Sequence, residues 1–203
     1  MLDIKIRNKN ILVIGNNLSI LDNEFEESYL KKFFVVRFNE FETIGYEKNI
    51  GSKTDLWIIN GNADVHNRLL EETTRENIKN IFIISNEKQR AHGTVKLLKQ
   101  KYKDVKLIHK VQKQPWNDIY PVVTASTGLV GILNIAKKYS NKSIYTLGFN
   151  YIVPKDAQII GLRNENYMGT ECKICNHRQD AEEDRSKWLM EAFGVKHLLN
   201  KSD

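Results

Sequence analysis

Short apolar runs alternate along the chain with segments of helical periodicity, and this alternation constrains the fold more than any other feature. The runs predicted as strands are residues 11–15, 34–38, 55–60, 80–85, 106–109 and 143–149. The segments predicted as helices are residues 19–33, 63–78, 87–102, 126–139 and 178–195. A run such as ILVIG, apolar at successive positions and ended by glycine, is typical of a parallel strand that is buried on both faces. The order therefore predicts an α/β fold with a single Rossmann-like, mostly parallel sheet flanked by helices.

The length and composition indicate one ordinary globular unit. The chain has 203 residues, of which 41% are apolar and 28% charged, and this is enough for one α/β domain with a sizeable core. There is no internal repeat, low-complexity segment or linker, so we expect a single domain over residues 1–203. Residues 150–176 have no clear periodicity, and an aperiodic loop of this length is usually functional or disordered. We consider this segment a candidate lid over a ligand.

The N-terminal sequence and the cysteine content bear on location. MLDIKIRNKN carries charges throughout and contains no long apolar run, so it is neither a signal peptide nor a membrane anchor. No window approaches the ~18 apolar residues that a spanning helix needs. The two cysteines, Cys172 and Cys175, make a disulfide framework improbable. We therefore expect a cytoplasmic protein.

The charge is basic and concentrated in one segment. The formal net charge is +6 and the isoelectric point is near 9.1, which suits an anionic partner such as a nucleotide, a nucleic acid or a membrane surface. The excess lies in residues 96–113, where a solvated helix face would explain the lysines equally well. Because no aromatic residues interleave with these lysines, a stacking platform is not indicated and we expect no nucleic-acid partner. Peripheral membrane contact through the basic surface stays open.

Polar residues follow the first predicted strand. In doubly wound sheets, ligands bind beyond the carboxyl ends of the strands. Gly15 allows a tight turn there, and the side-chain amides of Asn16 and Asn17 could hold a ligand. A helix cap at Ser19 or an Asx turn explains the same residues. The Gly-x-Gly-x-x-Gly fingerprint of dinucleotide-binding proteins is absent.

Two further polar sets fall at the same predicted edge. Arg37 and Asn39 end the second strand, where Arg37 is either a structural anchor or a phosphate contact. Asn39 either reads a nucleotide or belongs to a capped loop. Ser126, Thr127 and Gly128 open a helix, whose free N–H groups and dipole form a site for phosphate. A plain N-cap explains Ser126 equally well.

His177 and Glu182 lie at the start of the last predicted helix. A histidine near a helix N-terminus feels a positive potential, which disfavours the imidazolium and keeps the ring available as a base. A surface histidine followed by an acidic first turn is the alternative. Cys172 and Cys175 with His177 form part of a possible zinc site, whose fourth ligand would come from another histidine or a second chain. Two reduced thiols explain the cysteines more simply, and we expect no metal.

Taken in order, these pieces resemble the sialyltransferases of glycosyltransferase family 29. ILVIGNN followed by VVRFNEFETIGYEKNIGSKTDLWIIN resembles the large sialylmotif of that family. TASTGLVGILNIAKKYSNKSIYTLGF resembles the small sialylmotif. His177 and Glu182 match the very small motif, a His and a Glu separated by four residues. The resemblance covers most of residues 11–61, 124–149 and 177–182 and suggests a short soluble bacterial or viral homologue.

The resemblance implies a fold and a reaction. The fold would be a GT-A-like variant, and the enzyme an inverting, metal-independent glycosyltransferase without a cofactor. It would transfer an acidic sugar from CMP-sialic acid or CMP-Kdo to a hydroxyl of a glycan or glycolipid acceptor. The absence of an Asp-x-Asp motif makes a metal-bound diphosphate donor less expected.

The resemblance also implies residue roles. Asn16 and Asn39 would contact CMP, and residues 126–128 would hold the nucleotide at their helix N-terminus. His177 would be the general base, and Glu182 would orient it.

The chain departs from the family at two points. Ile11 stands where the animal enzymes are expected to have one of their paired cysteines, and no clear counterpart of the aromatic motif precedes the histidine. Two other interpretations stay open. One is a non-catalytic nucleotide- or nucleic-acid-binding module, which the basic charge favours. The other is a dinucleotide-dependent enzyme, for which Glu40 is the acidic residue nearest the end of the second strand.

Overall fold

The fold is one parallel α/β sheet. The computed structural model describes residues 2–7, 10–22, 24–61, 78–85, 88–111, 125–149 and 179–198. The strands are β1 Ile11–Ile14, β2 Phe34–Phe38, β3 Leu56–Asn60, β4 Asn80–Ser85, β5 Lys106–Val111, β6 Ile144–Leu147 and β7 Lys196–His197. Within the described residues they form one seven-stranded sheet in the order β5-β4-β3-β2-β1-β6-β7, and every neighbouring pair is parallel. This confirms the predicted α/β fold.

The helices lie against both sides of this sheet. They are α1 Glu27–Leu30, α2 Glu47–Ile50, α3 Lys88–Lys101, α4 Thr127–Lys138 and α5 Gln179–Phe193, with a 3-10 helix at Leu18–Asp22. None of the described helices is long and apolar enough to cross a lipid bilayer.

The order of the strands creates a topological switch point. From β1 the chain builds the sheet outward to β5 and then returns to place β6 on the other side of β1. The crossovers on the two sides of β1 diverge there, which leaves a crevice beyond the carboxyl ends of β1 and β6.

Alternate residues of each strand enter different parts of the core. On one face, Val36 and Ile58 pack with Leu133 of α4 and Leu189 of α5. The opposite face divides in two. The part over β1 and β6 packs against the 3-10 helix, α1 and α2, and the part over β3 and β4 packs against α3. Because both faces are covered there, strands β1 to β4 are apolar at most positions, whereas the edge strand β5 carries Lys106, His109 and Lys110.

The sequence predicted one continuous helix over residues 19–33, and this prediction was wrong. The structure has a 3-10 helix and then the separate helix α1, with Phe25 between them. The backbone N–H of Phe25 donates to the carbonyl of Lys48 at 2.7 Å, and the Phe25 side chain is buried. A long-range hydrogen bond thus replaces a helical one at this position.

The prediction and the structure also differ slightly in where strands and helices begin and end. All six predicted strands are present, but β5 extends to Val111 and the short strand β7 was not predicted. Helix α5 ends at Phe193, before Gly194, whose φ of 60° is the left-handed conformation that ends many helices. The predicted helix over 63–78, apart from Ile78, and the segment 150–176 lie outside the described residues.

Candidate functional site

The carboxyl ends of β1 and β6 touch through two glycines. The N–H of Gly15 donates to the carbonyl of Leu147 at 2.7 Å, and a Cβ atom on Gly15 would overlap the carbonyl oxygen of Gly148. Gly148 has a φ of 72°, and a Cβ atom there would overlap Cγ2 of Ile20. Both positions therefore require glycine. The sequence predicted Gly15; Gly148 was missed, although a glycine at the end of an apolar run was a signal for it.

Asn17 caps the 3-10 helix. Its Oδ1 accepts a hydrogen bond from the N–H of Ser19 at 2.9 Å, the Asx-turn alternative. The helix that follows β1 has only five residues. A dinucleotide-binding fold places the pyrophosphate at the N-terminus of a long helix at this point. This geometry disfavours the dinucleotide interpretation.

Asn16 links the segments that follow β1 and β2. Its Nδ2 donates to the carbonyl of Phe38 at 3.2 Å and also to the carbonyl of Glu40. Both amide hydrogens are thereby used, and the orientation of the side chain is fixed by them. Its Oδ1 accepts no hydrogen bond from the described part of the chain. This oxygen is the atom that Asn16 can offer to a ligand.

Asn39 uses its side-chain oxygen within the fold and leaves its side-chain amino group available, which is the opposite of Asn16. Its φ of 45° lies in the left-handed region, which asparagine tolerates better than most residues. Its Oδ1 accepts from the N–H of Asn60 at 2.9 Å, and its carbonyl accepts from Nε1 of Trp57 at 2.7 Å. Its Nδ2 donates to no other described residue. Asn16 and Asn39 therefore present one acceptor and one donor on adjoining segments.

Arg37 is a structural anchor. Its side chain is 1% exposed, and Nη2 donates to the carbonyls of Ile50 and Gly51 at 2.6 and 2.8 Å. Nε donates to Oγ1 of Thr54 at 3.1 Å, and the guanidinium lies 5.4 Å from the ring centroid of Phe41. The guanidinium thus holds the loop before β3.

Other polar residues of the same stretch are also structural. Oδ2 of Asp55 accepts from the N–H of Val35 at 2.9 Å and contacts Nζ of Lys53 at 2.5 Å. Oγ of Ser52 donates to Oε1 of Glu27 at 2.7 Å, and this hydrogen bond lowers the pKa of Glu27. The polar residues between β2 and β3 thus mostly support the backbone that presents Asn39.

The N-terminus of α4 is capped by Ser126. Its Oγ accepts from the N–H of Leu129 at 3.2 Å, so the plain N-cap is present. Thr127 and Gly128 form the first turn and are partly exposed. Their N–H groups precede the first intrahelical bonds, so they point out of the helix end.

A glycine contact sets the position of α4 on the sheet. A Cβ atom on Gly131 would overlap the ring of Phe38 and would lie 3.1 Å from Cδ1 of Ile58. Phe38 is the last residue of β2, and α4 runs antiparallel to the strands as the crossover between β5 and β6. Thr127 lies four residues earlier, about 6 Å of helix rise beyond Phe38. The helix N-terminus is thus at the level of the residues that follow β2, which include Asn39.

The proposed base lies outside the described residues. His177 falls there, as do Cys172 and Cys175. Glu182 lies in the first turn of α5, where only the backbone is described. In the part of the chain that is described, no group of three or more His, Cys, Asp or Glu side chains could hold a metal ion.

Solved structures show the same fold. A mammalian sialyltransferase in complex with Gal-beta-1-3GalNAc-ortho-nitrophenol superposes with a TM-score of 0.61 at 14% sequence identity, covering 94% of this chain and 69% of that one. A second mammalian sialyltransferase structure gives a TM-score of 0.62 at 15% identity, with 94% and 68% coverage. No protein-family model and no curated protein sequence matches the chain. The architecture is therefore that of sialyltransferase structures.

Proposed function

We propose that the chain is an inverting glycosyltransferase that transfers an acidic sugar, sialic acid or Kdo, from a CMP-sugar to a glycan hydroxyl. One observation carries the proposal. Asn16 and Asn39 offer a complementary acceptor and donor below the N-terminus of α4, at the switch point of a fold found in sialyltransferases.

The chemistry of these groups suits a nucleoside monophosphate. Cytosine carries an amino donor beside ring acceptors, and ribose hydroxyls both donate and accept. The oxygen of Asn16 and the amino group of Asn39 therefore fit either part of a cytidine. The N–H groups of Thr127 and Gly128, at the positive end of the α4 dipole, suit a single phosphate without a metal ion.

The proposed reaction needs two contributions from the protein. The bond between the sugar and the CMP phosphate breaks as the acceptor oxygen attacks the opposite face of the sugar. The N–H groups at the start of α4 stabilise the charge on the departing phosphate. His177 takes the proton of the acceptor hydroxyl, and Glu182 orients the histidine.

The first experiment measures CMP release. The purified chain is incubated with CMP-sialic acid or with CMP-Kdo in the presence of EDTA, and CMP binding is measured by calorimetry in parallel. We expect release from one of the two donors. Binding of CMP without release from either donor, with candidate acceptors present, would favour the non-catalytic nucleotide-binding module. No binding of CMP would overturn the proposal.

The second experiment tests the base. We expect His177→Ala to reduce transfer by about 10²–10⁴-fold while leaving CMP binding intact. The matched control is His92→Ala, since His92 is an exposed histidine of α3. Unchanged transfer by the His177 variant would remove this residue from the mechanism.

A further inference from the structure

Nearly all of the excess positive charge lies on one side of the sheet. Residues 88–111, which form α3 and the edge strand β5, contain eight lysine or arginine residues and one acidic residue, Asp104. Their formal charge is therefore +7, whereas the whole chain carries +6. The remainder of the chain is close to neutral, so the basic character belongs to this segment alone.

The charges of α3 form an ordered row. Lys96 and Lys99 are exposed and three residues apart, which places them on one side of α3, and Lys103, also exposed, follows two residues after the helix ends. We call these three residues the basic face. On the opposite side, Leu98 and Tyr102 are buried in the core with the residues of β3 and β4.

The basic face has one acidic neighbour, the exposed Asp104 next to Lys103, but its lysines form no ion pair within the described residues. Helix α3 itself contains no acidic residue. The lysines of β5 differ, because Lys106 contacts Asp3 and Nζ of Lys110 donates to Oδ1 of Asn134 at 2.9 Å. The basic face is therefore the part of the segment that is available to an external anion.

We propose that the basic face docks the protein onto a bilayer that contains anionic phospholipids. Lysine ammonium groups are point charges on flexible stems, which suit a diffuse negative surface better than a planar, bidentate partner. The only Phe, Tyr or Trp of residues 91–111 is Tyr102, which is 7% exposed, so this surface offers none of the large aromatic rings on which bases stack best.

The orientation of α3 relates this surface to the candidate site. As the crossover between β4 and β5, α3 begins at the carboxyl edge of the sheet, the edge that carries Asn16 and Asn39. The basic face lies in the C-terminal half of α3 and just beyond it, toward the opposite edge of the sheet, so docking there leaves the carboxyl edge uncovered. The docking proposal does not rest on the proposed function.

The test is vesicle sedimentation without any sugar donor. The probes are phosphatidylcholine vesicles and vesicles of phosphatidylcholine mixed with phosphatidylglycerol. The test variant is Lys96→Gln with Lys99→Gln and Lys103→Gln. The control variant is Lys32→Gln with Lys48→Gln and Lys137→Gln, which makes the same charge change at exposed positions outside α3 and β5.

We expect binding to the mixed vesicles only, and loss of that binding at high salt. The partition coefficient of the test variant should fall about 100-fold, or about fivefold per lysine, while the control variant binds nearly as the parent does. Equal binding to both vesicle types, or equal loss in the two variants, would overturn the proposal. Preference for a single-stranded oligonucleotide at equal phosphate concentration would assign the face to nucleic acid instead. CMP binding by both variants, measured separately, reports on the candidate site, so failure of docking and failure of the proposed function are distinguishable.

Discussion

The candidate site and the basic face differ in how far their polar groups are already engaged. At the site, Asn16 and Asn39 each use one end of the amide to hold the backbone, and only the other end remains for a ligand. On the basic face, Lys96, Lys99 and Lys103 have no ion-pair partner among the described residues. Function at the site should therefore depend on geometry, which single substitutions disrupt. Function at the basic face should depend on the number of positive charges, so each lysine that is removed should weaken binding by a similar factor.

Glycine substitutions give the largest expected contrast between the two regions. At Gly148, alanine would meet Cγ2 of Ile20 and would have to keep a φ of 72°. Strain of about 1–2 kcal/mol adds to overpacking of about 1–3 kcal/mol, so we expect Gly148→Ala to lower the free energy of unfolding by about 3 kcal/mol. Gly93 of α3 has open space around it, and Gly93→Ala should raise the free energy of unfolding by about 1 kcal/mol.

Urea unfolding of both variants measures this contrast. Equal effects at Gly148 and Gly93 would show that the ends of β1 and β6 have room to separate. The site would then be deformable, and the difference between the two regions would disappear.

The same chemical change at the two asparagines should have opposite consequences. Asn16→Asp removes both donors to the carbonyls of Phe38 and Glu40 and places a carboxylate against them. We expect this variant to lose about 2–3 kcal/mol of stability. Asn39→Asp keeps the oxygen that accepts from Asn60, and aspartate also tolerates the left-handed region. Its free energy of unfolding should change by less than about 0.5 kcal/mol.

Ligand binding completes the comparison of the two asparagines. Asn39→Asp replaces the available amino donor by a negative oxygen, so its affinity for CMP should fall about tenfold or more, or about 1.4 kcal/mol. Calorimetric titration with CMP and urea unfolding together separate the two effects. Unaltered CMP affinity in a stable Asn39→Asp variant would mean that Asn39 does not contact the nucleotide.

The sheet could be predicted from sequence because strands β1 to β4 are buried on both faces and carry apolar residues at most positions. The interruption at Phe25 could not, because its hydrogen bond goes to Lys48, a residue of another element. Strand β7 could not either, since a two-residue strand has no periodicity. The local pattern was sufficient wherever burial alone determines the structure.

At the candidate site, the sequence indicated which positions are polar but not which atom of each side chain is available. The donors of Asn16 are used by carbonyls of a neighbouring segment, and no pattern local to Asn16 reveals this. Gly131 was not singled out from the sequence, although its contact with Phe38 sets the height of α4 on the sheet. The assignments to His177 and Glu182 stay predictions.

The smallest expected effect is on the pH dependence of the free energy of unfolding. Here a partly buried histidine, His197, is compared with an exposed one, His92. Burial lowers the pKa of His197, at the end of β7, below its ordinary value of 6.5. Its Nδ1 is buried and finds no hydrogen-bond partner in the described part of the chain, so a proton there would be poorly solvated. His92 is an exposed histidine of α3.

The direction of the pH effect follows from proton linkage. The unfolded chain keeps the ordinary pKa of His197, so as the pH falls below about 6.5 it takes up a proton that the folded chain resists. Stability should therefore decrease as the pH falls from about 6.5, and His197 should contribute no pH dependence well above that value. Since the unfolded imidazole is only half protonated at about pH 6.5, the parent should lose at most about 1 kcal/mol more stability than His197→Gln between about pH 6.5 and about pH 5.5. Urea unfolding at a series of pH values measures the difference, with His92→Gln as the matched control. Parallel stability profiles of the parent and His197→Gln would mean that the imidazole is hydrated in the folded protein, and the end of β7 would then resemble the solvent-exposed basic face more than the closely packed site.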